Sequence, residues 1–100
     1  MKDLRDLQRI AREMQANMEK AQAQLAEETV EGKAGGAAVV VVMTGTQEVR
    51  SVTISPDAVD PSDIETLQDL VFAAVKDAVE RSKRLAAERM GGITGGLKLP

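Results

Sequence analysis

The chain lacks cysteine, histidine, tryptophan and tyrosine altogether, and its one aromatic residue is Phe72. Each absence removes a chemistry. Without thiolate or imidazole there is no disulfide frame, no ordinary zinc site and no Ser-His or Cys-His catalytic pair. Without a set of aromatics there is no stacking platform for single-stranded nucleic acid, and no aromatic pair of the RRM type on strands. The longest uninterrupted apolar run, Ala37 to Met43, is 7 residues, against the ~18 that a membrane span needs. The N-terminus alternates charge (Met1-Lys2-Asp3-Leu4-Arg5-Asp6) where a secretory signal would be apolar. A soluble, cytoplasmic, non-redox protein with no membrane partner is the expectation.

What is present is one domain's worth of chain. Of 100 residues, 43 belong to the apolar set and 29 are charged, a balance that folds as a single unit. Ala supplies 14 of the apolar residues, so the core is expected to be thin. Val, Leu, Ile and Phe still exceed the roughly 20 % below which charged chains stay disordered.

From Met1 to about Glu28 the apolar residues Leu4, Leu7, Ala11, Met14, Met18, Ala21 and Leu25 follow a 3-4-3-4 spacing, with Ile10 widening the stripe. That is a heptad seam on a helix. No Gly or Pro precedes Gly32, so a rod of roughly 38 Å is predicted. A compact domain of this length is only about 34 Å across. The rod therefore overhangs its domain, and its seam needs another surface, most simply the same seam on a second copy. Leu4, Leu7, Ala11, Met14, Met18, Ala21 and Leu25 are the expected homodimer interface.

The period then changes. Thr29 to Ala34 alternates and Gly35-Gly36 closes it. Ala38 to Met43 is a β-branched block, Thr44-Gly45-Thr46-Gln47 is a turn, and Glu48 to Ser55 is a third run. Connections this short join antiparallel neighbours, giving a three-stranded meander. Val49 and Val52 differ in parity, which requires either a bulge or burial of both faces. Ser62, with Glu65 three residues on, predicts a capping box for a second helix from about Asp63 to Arg89. Its inner face is read as Ile64, Leu67, Leu70, Val71, Ala74, Val75, Ala78 and Leu85. Gly91-Gly92 is expected to end it, leaving residues 1–90 as an α+β domain of order α-β-β-β-α and residues 91–100 as a Gly-rich tail.

The net charge is −3, unevenly laid out. Lys2, Arg5, Arg9 and Arg12 form a basic row about 100° from the apolar seam. From Asp57 to Val75 there are acids only. After Val75 the bases Arg81, Lys83, Arg84 and Arg89 stand among fewer acids. The basic row reads either as a solvated face steering helix pairing or as a phosphate-tracking edge, doubled in a two-fold dimer. Gly91-Gly92-Ile93-Thr94-Gly95-Gly96 lacks the preceding strand and the Lys-Ser/Thr pair of a phosphate loop. The acids Asp57, Asp60, Asp63 and Glu65 lack calcium-loop spacing. No catalytic residue, metal, cofactor or small-molecule substrate is expected.

Several blocks together resemble the YbaB/EbfC family of bacterial nucleoid-associated proteins: Met14-Gln15 and Met18, Val30 to Gly36, Val49 to Pro56, Leu67 to Ala78, and Met90 with Thr94-Gly95-Gly96-Leu97. The resemblance implies a tweezer-like homodimer that binds double-stranded DNA and organises the nucleoid or modulates transcription. Ala37 departs from the usual third Gly and is expected only to stiffen its turn. On this reading Lys2, Arg5, Arg9 and Arg12 neutralise phosphates, with Arg81, Lys83, Arg84 and Arg89 as secondary contacts. The competing class is a dimeric protein-interaction adaptor without nucleic-acid binding, whose charges only keep it soluble.

Overall fold

A computed structural model describes residues 3–94. The chain forms helix α1 (Leu4–Glu27), strands β1 (Thr29–Ala34), β2 (Val39–Thr44) and β3 (Val49–Ile54), a 3-10 turn (Pro56–Ala58) and helix α2 (Ile64–Thr94). The strands make one antiparallel sheet in the order β1-β2-β3, as the short connections predict. The molecule is elongated, 72 × 27 × 16 Å with a radius of gyration of 19.6 Å, well above the ~13 Å of a compact chain this long. The overhang is real.

One sheet face carries the core. Val39, Val41 and Met43 of β2 meet Ala74 and Ala78 of α2, with Val30, Ala34, Leu67, Leu70, Val71, Val75 and Val79 around them. The alternation of Val30, Gly32 and Ala34 inward with Glu31 and Lys33 outward fits a period of two. Gly32 sets the depth of contact. A Cβ there would stand 2.3 Å from both the Ala74 carbonyl oxygen and the Ala78 amide nitrogen. The helix backbone thus lies directly on the strand, and the small residues Ala74, Ala78 and Ser82, spaced by four, make that approach possible. Ser82 is buried, and its hydroxyl donates to the Thr44 carbonyl at 2.8 Å.

The parity conflict in the third strand resolves as a bulge. Val42 pairs with Ser51 and Met43 with Val49, so Arg50 is the extra residue. The bulge puts Val49, Val52 and Ile54 on the same sheet face as Met43, Val41 and Val39. There they remain 56 %, 50 % and 39 % exposed, because on that face α2 lies over β1 and β2 and leaves β3 uncovered.

Three local expectations change. Asp63, not Ser62, caps α2: its Oδ1 accepts from the Thr66 amide at 3.3 Å and its Oδ2 from the Thr66 hydroxyl at 2.6 Å. Ser62 instead donates its hydroxyl to Asp60, and a carboxylate with two free oxygens is the stronger acceptor. The Gly91-Gly92 pair does not stop α2, which continues to Thr94. Glycine costs a helix about 1 kcal/mol per residue but keeps its amide, and no proline intervenes. Ile64 is exposed, not internal. Leu70 is level with the Gly35 turn, so Ile64, about 9 Å earlier along the axis, lies past the end of the sheet. The tail from Gly95 onward lies outside the described residues.

The β1–β2 turn strains a residue that is not glycine. Gly35, Gly36 and Ala37 all have positive φ, Ala37 at 75°, so Ala37 does more than stiffen the turn. Ala37→Gly is expected to stabilise the fold by up to about 1 kcal/mol of relieved strain, less the added freedom of the unfolded chain, read as a higher urea midpoint. Gly32→Ala, which drives a methyl into helix backbone, is expected to cost about 3 kcal/mol or more. Paired urea titrations with unchanged m-values check both.

Candidate nucleic-acid interface

The first helix is held only near its end. Ala21 and Leu25 are buried in their own protomer, which removes them from the expected intersubunit seam. Leu25 packs at Gly45, where a Cβ would lie 2.6 Å from its Cδ2, and it lines a groove with Lys83, Ala86 and Met90 of α2. The carbonyls of Gln24, Leu25 and Ala26 at the end of α1 are answered, the first by the Glu28 amide. The Gly45 amide donates to Leu25 and Glu28 at 2.9 and 3.0 Å, and the bulged Arg50 donates to Ala26 at 3.0 Å. These groups satisfy the acceptors that a helix C-terminus leaves open. Arg89 completes the joint: its Nε donates to Glu28 Oε2 at 2.9 Å and its Nη2 reaches Oε1. That two-pronged contact holds the Glu28 carboxyl below the usual carboxylate range and raises Arg89, chiefly through the side-chain hydrogen bonds themselves.

The rest of α1 projects. Asp3 caps its start by accepting from the Asp6 amide at 3.1 Å. Leu4, Leu7, Ile10 and Met18 are 68 %, 58 %, 40 % and 41 % exposed, Ala11 is exposed and Met14 half-buried. Arg5, Arg9 and Arg12 share another face, where with Glu13 and Ala16 they line a shallow groove of about 480 Å³. Measured from the middle of the seam, that row is roughly 150° away, not 100°, because Arg12 and Arg5 fall at about 120° and 140° and Arg9 at about 180°. The residues flanking the seam are Gln8, Gln15 and Gln22 on one side and Ile10, Asn17 and Gln24 on the other. The arginines therefore do not act as seam-flanking charges.

The eight predicted cations divide by what already holds them. Arg9 is engaged by Glu13 at 3.3 Å and Asp6 at 3.9 Å, Arg81 by Asp77 at 3.1 Å, and Arg89 by Glu28. Arg5, Arg12, Lys83 and Arg84 form no ion pair among the described residues. Lys2 lies outside them. They are also not one surface. Arg81 and Arg84 line a cavity of about 450 Å³ at the β1 edge, whereas Lys83 lines a different groove on the α1 side of α2.

Sequence reasoning missed Lys33, which joins Arg81 and Arg84 in the cavity at β1. Its amide donates to Asp77 Oδ2 at 3.0 Å, and this bond, ahead of the one from Arg81, lowers the Asp77 carboxyl. Nothing in the local pattern around Gly32-Lys33 announces that meeting, since it depends on where α2 crosses the strand. Among the described residues no cluster of acids could hold a metal ion, and no helix is long and apolar enough to cross a membrane.

Comparison with known proteins bears on what such an arm does. The YbaB/EbfC DNA-binding family matches the chain over residues 1–97. A nucleoid-associated protein of Chloroflexus aggregans is 52 % identical over 94 residues, covering 94 % of both chains. Another of Gluconobacter oxydans is 49 % identical over all 100 residues, covering 94 % of that protein. An uncharacterized protein of Helicobacter pylori, HP0035, has the same fold with a TM-score of 0.76 at 19 % identity, covering 98 % of this chain and all of that one.

The Glu28–Arg89 joint gives a pH-dependent expectation. A carboxyl whose folded pKa is depressed adds stability above its unfolded value and loses it as pH falls through the folded value. Glu28→Gln is therefore expected to be less stable than the parent at pH 7, with the difference shrinking to nothing in strong acid. Urea unfolding of both proteins from pH 7 down through the carboxylate range reads this directly.

Proposed function

The chain belongs to the YbaB/EbfC DNA-binding family, which is not an enzyme family, and from that premise we propose that it binds double-stranded DNA as a homodimer through phosphate and shape contacts. The observation that carries this reading is the projecting α1, with Arg5 and Arg12 exposed on it and free of acidic partners among the described residues. A net negative protein still meets DNA where the local potential is positive. Base-edge readout is disfavoured, because α1 presents arginines in a straight row with no aromatic beside them. Arg84 and Lys83 on the body are the secondary contacts, while Arg81, Arg89 and Lys33 already meet acids. Organisation of the nucleoid, or modulation of transcription from within it, follows from such sequence-tolerant binding.

The dimer is best supported at the sheet, not along the whole α1 seam. Val49, Val52 and Ile54 stand exposed on the open edge strand, facing the same way as the core. Beside them α2 exposes Phe72, at 71 %, over an apolar groove lined by Leu67, Gln68, Val71, Phe72 and Val75. An uncovered apolar edge strand is a template for another strand, and a self-complementary patch of this kind suits a two-fold partner. The two projecting helices then give the dimer its tweezer form.

Mobility shifts against duplex DNA over a salt series test the DNA reading, since counterion release requires a steep loss of affinity with salt. Charge reversal at Arg5 and Arg12 is expected to weaken binding at least tenfold and to flatten the salt slope by roughly 2 per arm, without unfolding the protein. Salt-insensitive or absent binding by the parent overturns the reading in favour of a protein-interaction adaptor. Val52→Asp is expected to break the contact through β3 and α2, read by sedimentation as an assembly smaller than the parent's.

A further inference from the structure

Once the dimer is assigned to β3 and α2, the distal half of α1 keeps an apolar stripe with nothing over it. We propose that this stripe is a second self-association surface, on which the α1 rod of another copy packs seam to seam, antiparallel, joining dimers to one another. The proposal rests on the dimer reading above only in calling this surface the second.

Several observations select another α1 as the occupant. The exposed residues Leu4, Leu7, Ala11, Met14 and Met18 keep the heptad spacing in a helix the structure forms without interruption, and that repeat is complementary to a helix carrying the same repeat. The flanks decide between partners. Gln8, Gln15, Ile10 and Asn17 are uncharged, so two identical rods meet without like-charge repulsion, whereas a charged partner would find nothing to pair with. The body of the protein lies at the C-terminal end of α1, where Leu25 and Glu28 are fixed. Antiparallel pairing therefore places the two bodies at opposite ends of the joined rods, clear of each other. In the register that meshes the seam, Leu4 of one rod meets Met14 of the other and Leu7 meets Ala11, a large side chain against a small one. The arginine rows, roughly 150° from the seam, turn outward on opposite sides of the joined rods. Pairing of rods and contact with phosphates are thus compatible on one helix.

Two different two-fold surfaces on one chain generate assemblies larger than a dimer. In sedimentation the parent protein is expected to exceed two subunits as concentration rises. Leu7→Asp, at a position already exposed and so tolerated by the fold, is expected to stop at two subunits, joined through β3 and α2. Val52→Asp is expected to stop at two subunits joined through the rods. Because the chain has no cysteine, Ala11→Cys is a clean reporter: a short bismaleimide is expected to link it between subunits several-fold more than Ala16→Cys, which lies on the arginine face. A parent that remains at two subunits at all concentrations, or equal linkage at the two cysteines, overturns the proposal, as does cover of the seam from within its own protomer, which leaves Ala11→Cys unlinked. If Leu7→Asp yields monomers while Val52→Asp leaves the dimer intact, the rods are the only interface, and both this proposal and the assignment of the dimer to the sheet fail. If Val52→Asp alone has no effect while Leu7→Asp still limits the parent to two subunits, rod pairing stands and only the sheet assignment fails.

Discussion

The direction of α1 is fixed by its last two turns, and the molecule's shape follows from that. A helix of 24 residues would lie across a larger domain and bury one stripe along its length. Here the body offers it a seat only as deep as Ala21 and Leu25. Four independent contacts converge on that seat: the Gly45 amide, the Arg50 guanidinium, the Leu25 side chain and the Glu28–Arg89 pair. They tie the end of α1 to the turn at Gly45, to β3 and to α2. Any one alone would leave the rod free to pivot, since a single exposed ion pair contributes little. Together they hold a lever whose far end carries the arginines.

The same economy of size governs the body. With so much alanine and so few large side chains, the core is held together by closeness of approach more than by volume. α2 rests on β1 at Gly32 with no side chain between them, and Ala74 and Ala78 extend the contact. Such packing is intolerant of added atoms, and it leaves the sheet only partly covered. One helix cannot span three strands, about 10 Å across the outer pair. The third strand, with Val49, Val52 and Ile54, is left exposed. Thinness of the core and the open face of β3 are one fact seen twice.

How much of this could be read beforehand depends on the range of the interaction. The seam of α1, the β-branched block of β2 and the meander order are local patterns that the structure keeps, and the parity conflict at Val49 and Val52, which left a bulge or two buried faces open, resolves as the bulge. The overhang also followed from comparing two lengths. What failed was competition at close range, where Asp63 displaced Ser62 as the cap and Gly91-Gly92 proved too weak a stop for a helix already formed. What was invisible was the meeting of distant residues. Ala21 and Leu25 carry the same heptad signature as Leu4 and Leu7, yet they are buried within the protomer, because the seat lies at one end. Lys33 joined Arg81 and Arg84 only through the crossing of β1 and α2, and the departure at Ala37 became strain only through its φ of 75°.

The distribution of pairing explains how an acidic chain can present a positive face. On the body three bases meet acids, along α2, across elements or along β1: Arg81 with Asp77, Arg89 with Glu28, Lys33 with Glu31. Those contacts hold geometry, and they cancel charge where it would otherwise attract phosphate. The acids just before α2, Asp60 and Asp63, are likewise held ionised by their own Ser62 and Thr66 partners, at the opposite end of α2 from the joint with α1. On the projecting helix only Arg9 is engaged, and weakly, by exposed carboxylates one turn away. Arg5 and Arg12 stand on either side of it. A phosphate approaching the arm would compete with Glu13 for Arg9, a contact that solvent already screens, so the row loses little on exchanging one acceptor for another. In the proposed arrangement a duplex meets the face of Arg5, Arg9 and Arg12 before it meets the charge of the whole protein, and over distances beyond a Debye length of ~8 Å it is the nearer charge that counts.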